Sequence, residues 1–182
     1  MRAFLRDIVV IIVAAIVIFL LLQTTVQKSV VNGCSMEPCL QDGQQLLINK
    51  AVYHFHEPER GDIIVFHPPN NQESSHFIKR IIALPSDTVE VKNGAIYVNG
   101  SKLDESYIKE LPKYILPQRK IPENNYFVLG DNRNNSNDSH NGWTVPRQNI
   151  TGKAWLSVWP PDRWGLVAHY PLQEQLAASL SE

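Results

Sequence analysis

Phe77-Ile78-Lys79-Arg80-Ile81-Ile82-Ala83-Leu84 is an apolar run interrupted by two adjacent cations. Side chains alternate across a β-strand, so Lys79 shares one face with Phe77 and Ile81, and Arg80 shares the other with Ile78 and Ile82. If both faces are covered, a cation must lie in apolar surroundings. Full burial lowers a lysine pKa by up to ~3 to 5 units, which makes a neutral amine available as a general base near neutral pH. Arginine stays charged, with a pKa above about 12, so Arg80 is a candidate for a structural ion pair and Lys79 for chemistry. The ordinary alternative for a lone strand lysine is a surface position with its stem lying along apolar neighbours.

The segments around this run are also strand-like. Residues 45–49, 62–66, 77–84, 87–92, 95–99, 126–130 and 153–159 are short, rich in β-branched or aromatic residues, and separated by Gly, Pro or Asn. Asn93-Gly94, between two alternating runs, is the best hairpin turn in the chain. The pattern predicts a mostly β fold: a coiled antiparallel β-sheet domain after a single N-terminal transmembrane helix. Residues 103–120 are less regular and read as a lobe or excursion. The tail, 171–182, reads as a short helix or an unstructured end.

Upstream stands Gly33-Cys34-Ser35-Met36-Glu37-Pro38-Cys39-Leu40. Gly33 permits positive φ, and Pro38 biases Glu37 towards an extended conformation, so the segment can present Ser35 on a constrained turn. A serine hydroxyl is a weak nucleophile until a base takes its proton, and a desolvated lysine can do so. A bare Ser-x-x-Pro has little specificity by itself and equally describes a turn serine.

These two segments, with Gly61-Asp62-Ile63-Ile64-Val65-Phe66 and Gly130-Asp131-Asn132-Arg133-Asn134-Asn135-Ser136-Asn137-Asp138-Ser139, resemble the conserved boxes of type I bacterial signal peptidases, in the family's order. The resemblance implies a membrane-bound serine endopeptidase that cleaves signal peptides from exported preproteins. Carried over by position, Ser35 is the nucleophile and Lys79 the general base and later acid. Ser136 would orient the lysine amine, and the Ser35 backbone amide would hold the oxyanion. Asp131 and Asp138 would organise the Asn-rich loop, with Asp131 a partner for Arg80. The chain departs from the family pattern at several positions. Gly33 stands where some members carry a helping hydroxyl, Cys39 where a threonine is usual, Ala83 and Ser86 replace glycines of the lysine box, and His140 replaces a common arginine. These departures bear on ion pairing around Asp138 and on pocket shape more than on reaction type. No cofactor and no metal is implied, since a lysine base needs neither.

The amino terminus sets the expected location. From Phe4 to Val26 the chain offers ~23 residues, about 34 Å of helix, enough to span a bilayer with some tilt. A cleaved signal peptide has similar flanks, but Gln23-Thr24-Thr25-Val26-Gln27-Lys28 has no Ala-x-Ala-like cleavage site. Arg2 and Arg6 precede the span and place the amino terminus in the cytoplasm. The expected organisation is a cytoplasmic 1–7, an anchor over 8–26, an extracytoplasmic peptidase domain over 27–170 and the tail. The membrane would be the plasma membrane, or a thylakoid membrane in a photosynthetic source.

The chain has 182 residues and a formal net charge of −1, with no basic footprint, so nucleic-acid binding has no support. The expected partners are signal-peptide-bearing preproteins and the lipid bilayer. Cys34 and Cys39 are expected as free thiols, because a disulfide over so short a loop would distort the turn. Their spacing is not the Cys-x-x-Cys of a thiol-redox protein. His76 and His140 invite a Ser/His alternative, but the histidine spacing carries no metal signature. Trp143, Trp155, Trp159 and Trp164 are expected mainly in the core, with an exposed subset able to reach the lipid interface. A peptidase dedicated to one partner, or a tethered binding module that keeps the groove, remains as an alternative reading.

Overall fold

A computed structural model describes residues 2–69, 76–170 and 172–179. In chain order the elements are α1 (Arg2–Thr25), β1 (Val26–Val30), β2 (Gln45–Asn49), α2 (Val52–Phe55), β3 (Ile63–Phe66), β4 (Phe77–Ala83), β5 (Thr88–Lys92), β6 (Ala95–Val98), β7 (Ser101–Lys102), β8 (Leu116–Lys120), β9 (Asn125–Leu129), β10 (Val145–Pro146), β11 (Ile150–Trp159), β12 (Gly165–Leu166) and α3 (Leu172–Ser179). The larger sheet runs β1-β2-β11-β3-β4-β9-β10, with β12 added beside β11. The smaller sheet runs β7-β6-β5-β8. Every pairing is antiparallel.

β4 is where the apolar core is tied together. The register shift between Ile81 and Ala83 inserts a bulge that bends the strand. Before the bulge the strand alternates regularly, so Ile78 packs with Met36, Leu40 and Leu46, while Ile81 on the other face packs with Phe66, Tyr126 and Val128. Ile82 and Ala83 enter the core of the smaller sheet with Val89, Ile96 and Phe127. A strand contributing to all three clusters is covered on both faces, which is why it reads as nearly continuous apolar sequence.

Asn93 and Gly94 join β5 to β6 with positive φ at both residues (51° and 71°), the two-residue hairpin the sequence predicts. Strands β1, β8, β10 and β12 were not evident in the sequence, because they are short or half-exposed and lack clear alternation. In α3, Leu172 and Leu176 are buried against the smaller sheet. Residues 180–182 and Pro171 lie outside the described residues. Contrary to the core placement expected for the tryptophans, Trp155, Trp159 and Trp164 are exposed on β11 and beside β12; only Trp143 packs against a core cluster. Trp155 falls at the register shift between Ala154 and Leu156, and Trp164 lies between β11 and β12, so regular strand alternation carries neither ring inward.

The stretch from Leu103 to β8 is ordered by polar contacts with the Asn-rich motif. Arg133 is fully buried and pairs with Glu105 at 2.8 Å, its Nη2 also lying 3.3 Å from the Tyr107 hydroxyl. Asn134 donates to the Leu111 carbonyl and accepts from the Lys113 amide. An arginine within a polar run reads as solvated; here it is the buried peg that holds the excursion to the motif. Arg133→Met would leave Glu105, whose side chain is 6% exposed, without its cation. The expected cost is about 3 to 5 kcal/mol, seen as a lower chemical-denaturation midpoint in detergent, with partial recovery in Arg133→Lys.

Candidate active site

Lys79 and Arg80 are both buried, at 5% and 0% exposure, on opposite faces of β4. Their environments differ in one respect that decides their chemistry. Arg80 forms a two-pronged ion pair with Asp131, Nε to Oδ1 at 2.9 Å and Nη2 to Oδ2 at 2.8 Å, with both side chains fully buried. Its Nη1 donates to the Gly61 carbonyl, and its guanidinium lies over the rings of Tyr107 and Tyr170 at 4.4 and 5.2 Å. Lys79 has no ion-pair partner among the described residues. Its Nζ lies 2.7 Å from Ser35 Oγ and donates to the Ile78 carbonyl at 3.0 Å. Burial lowers its pKa from the ordinary lysine value of 10.5 to about 8; the Asp138 and Asp131 carboxylates act in the opposite direction but do not overcome it.

Ser35 lies on the turn between β1 and β2. Gly33 takes φ +82°, and its N–H donates to Asp42 Oδ1, so a residue with a side chain would be strained there. The absence of a hydroxyl at this position is therefore coupled to the backbone path of the turn. Met36 and Leu40, 1% and 2% exposed, peg the turn into the core. The Asn-rich motif straps it from above: the Asn132 N–H donates to the Ser35 carbonyl, Asn132 Nδ2 to the Cys34 carbonyl, and Asn135 Nδ2 to Cys34 Sγ. Cys34 and Cys39 are free thiols. Burial pushes the Cys39 thiol up, against the pull of Arg80 beside it.

Asp138 is fully buried and accepts from the Gly130 N–H at 2.9 Å. Asp131 and Asp138 thus both serve the Asn-rich loop, one by ion pairing with β4 and the other by fixing the loop's first residue. Ser136 does not make the expected bond to Lys79. Its Oγ is buried without a hydrogen-bond partner among the described residues, tucked against Gly130. The amine instead meets Ser35 Oγ and the Ile78 carbonyl, while Ser136 Oγ packs onto the Cα of Gly130. A Cβ on Gly130 would collide with Ser136 Oγ and with the Ser35 carbonyl. Gly130, Asn132 and Arg133 are the site-shaping residues that residue-type reasoning overlooked. The spacing of the motif held the signal, since close approach of two backbones requires a glycine.

A cavity of about 300 Å³ opens beside this pair, lined by Val30, Asn32, Ser35, Phe77, Ile78 and Lys79 among others. β9 pairs with β4 only from Arg80 onward, so the edge of β4 at Phe77–Lys79 is not covered by that strand. Such an edge can add an extended peptide. The Asp62 carboxylate of the second motif lies elsewhere, accepting from the Tyr53 hydroxyl and pairing with Lys153. Of the histidines singled out, His76 lines the cavity and His140 binds Asp138; neither is hydrogen-bonded to Ser35.

The family model of signal peptidase, peptidase S26, matches residues 4–159. A protein of Synechocystis sp. called probable signal peptidase I-1 is 49% identical over 142 residues, covering 75% of this chain and 72% of that protein. Signal peptidase I of Leptolyngbya laminosa is 47% identical over 137 residues, covering 72% and 68%. Signal peptidase I S of Bacillus subtilis is 41% identical over 143 residues, covering 72% and 76%.

Two outcomes follow from this geometry. Gly130→Ala should displace the Ser35 turn and lower turnover about 100-fold with the β-sheet circular-dichroism signal retained. Lys79→Met should raise stability. With the folded pKa near 8 and the unfolded value near 10.5, the buried amine opposes folding fully below about pH 8, and that opposition fades as pH rises to 10.5. The stability difference should therefore be largest near neutral pH, roughly 3 kcal/mol at most, and shrink towards pH 10.5 when denaturation is followed across that window.

Proposed function

We propose, from the premise that the chain belongs to the signal peptidase family, peptidase S26, that it removes signal peptides from exported preproteins with Ser35 as nucleophile and Lys79 as general base. The observation that carries the assignment is the 2.7 Å separation of Lys79 Nζ from Ser35 Oγ, with a buried amine whose pKa is lowered to about 8. The neutral amine takes the hydroxyl proton as Ser35 Oγ attacks the scissile carbonyl carbon. The tetrahedral oxyanion is held by the Ser35 backbone N–H. Collapse breaks the C–N bond, and the lysine ammonium returns its proton to the leaving amine. Lys79 then deprotonates a water that attacks the Ser35 ester, and the ammonium so formed gives its proton back to Ser35 Oγ as the ester breaks. Arg80 and Asp131 support the pair by ion pairing, Asp138 by hydrogen bonding to Gly130 and Ser136 by packing against Gly130.

The substrate would lie as an extended strand along the open edge of β4 at Phe77–Lys79, facing the end of β1 across the cavity. Its shallow apolar walls suit small side chains before the cut. Within the described residues, 6–25 form a helix long and apolar enough to cross a membrane. In our reading residues 8–26 are the anchor, 1–7 are cytoplasmic because Arg2 and Arg6 precede the span, and 27–170 form the extracytoplasmic domain. β1 begins where α1 ends, and the Lys50 N–H donates to the Thr25 carbonyl, which supports a reading with the larger sheet starting at the bilayer surface. Trp155, Trp159, Trp164 and Leu166, exposed at 45%, 51%, 67% and 74%, suit contact with the lipid interface on that sheet. The membrane would be the plasma membrane, or a thylakoid membrane in a photosynthetic source.

The test is cleavage of a signal-bearing precursor in detergent by the wild type, Ser35→Ala and Lys79→Ala. Loss of at least a thousandfold in both variants is expected, since nucleophile and base act as one unit. For the wild type, kcat/KM should rise with pH through about 8, because protonated Lys79 cannot accept the serine proton. Turnover that survives Lys79→Ala would remove lysine as the base.

A further inference from the structure

Asp138 is held by donors that come largely from one residue. Its Oδ1 accepts from the His140 backbone N–H at 3.2 Å and lies 2.6 Å from His140 Nδ1, while its Oδ2 accepts from the Gly130 N–H at 2.9 Å. The carboxylate is fully buried and the histidine side chain 21% exposed. With Asp138 as acceptor, Nδ1 must carry the proton, so the ring is fixed in that tautomer or doubly protonated. The imidazole lies flat on the Tyr114 ring, 4.3 Å between centroids and 18° between planes. It is therefore locked from two sides by groups the hydrolysis itself does not use.

Asp131 and Asp138 are the two carboxylates whose charge reaches the Lys79 amine. Asp131 is neutralised by Arg80 at every working pH. Asp138 has no arginine or lysine ion partner among the described residues, and its compensation rests on His140. Through Gly130, Asp138 also borders the nucleophile, because Gly130 is in contact with the Ser35 carbonyl and Ser136 Oγ. The other charged or titratable groups near this histidine are accounted for. Arg119 donates to the Ser139 and Trp143 carbonyls, and Arg133 is paired with Glu105.

We propose that His140 is a positioning residue for the Lys79 base, holding the Asp138 carboxylate so that Gly130 stays seated against the Ser35 turn and the negative charge facing the amine is moderated. The proposal rests on the reading of Lys79 as general base. His140 touches neither substrate nor the reacting atoms. Removing its side chain leaves Asp138 a stronger anion beside Lys79 and loosens Gly130. A permanent cation at the same position does the reverse.

The experiment is the pH profile of kcat/KM for precursor cleavage by the full chain in detergent, comparing wild type, His140→Ala and His140→Arg, with Lys79→Ala alongside. In His140→Ala the acid limb should move up by about one pH unit, with lower kcat, because an uncompensated carboxylate favours the ammonium form. In His140→Arg it should lie below the wild-type position, with the kcat lost in His140→Ala restored. A purely structural role would lower the thermal midpoint and leave the limb where it is. Coincident acid limbs in wild type and His140→Arg, with Lys79→Ala inactive, would overturn this proposal and leave the base assignment standing. An active Lys79→Ala would remove the base assignment itself. If His140→Ala does not fold, the His140→Arg profile decides the matter alone.

Discussion

The site depends on one electrostatic asymmetry: two neighbouring cations are buried on opposite faces of the same strand, and only one of them has a counterion. Arg80 meets Asp131 through two hydrogen bonds with both side chains fully buried. Lys79 meets a serine hydroxyl and a peptide carbonyl. Desolvating an unpaired ammonium is costly, and the molecule relieves that cost by letting the amine shed its proton closer to neutral pH. The same residue therefore lowers the stability of the fold and makes a base available, as expected where function opposes packing.

Much of the remaining architecture keeps that arrangement dry and in register. β4 feeds three apolar clusters from its two faces, so the lysine stem is packed on the strand while its amine meets the cavity at the open edge. The Asn-rich motif closes the far side through Asn132 and Gly130, and it is itself held by the buried Arg133–Glu105 pair and by Asp138. The excursion between β7 and β8 thus has a structural role: it supplies Glu105 and Tyr107 to Arg133 and places Tyr107 over Arg80. Motif and excursion are far apart in sequence only at their ends; in space they form one polar clamp over the serine turn.

The sequence made the site legible to the extent that chemistry leaves a mark on local pattern. Alternation alone separated Lys79 from Arg80, and β4 obeys that alternation. Asn93-Gly94 announced its hairpin, because two successive positive φ angles leave few residue choices. Short edge strands such as β10 and β12 lack the length for periodicity to show. Arg133 was hidden by polar neighbours, since burial of an arginine depends on Glu105 and Tyr107, which no local pattern links to it. The exposed tryptophans were misjudged for a related reason: composition records that a ring is apolar, while its side of the sheet is set by register and its shifts. Ser136 illustrates a third limit. Position in a motif placed it beside the lysine, but the hydroxyl turned towards Gly130 and left the amine to Ser35.

The central claim is that burial delivers a neutral Lys79 amine near physiological pH. Its most direct test is an NMR titration of the full chain in detergent micelles, with lysine labelled at Cε and the Lys79 signal identified by its absence in Lys79→Met. A titration midpoint near 8 is the result expected from a buried amine without a counterion. A midpoint near the ordinary lysine value of 10.5 would contradict the account, since the amine would then be protonated whenever the enzyme works.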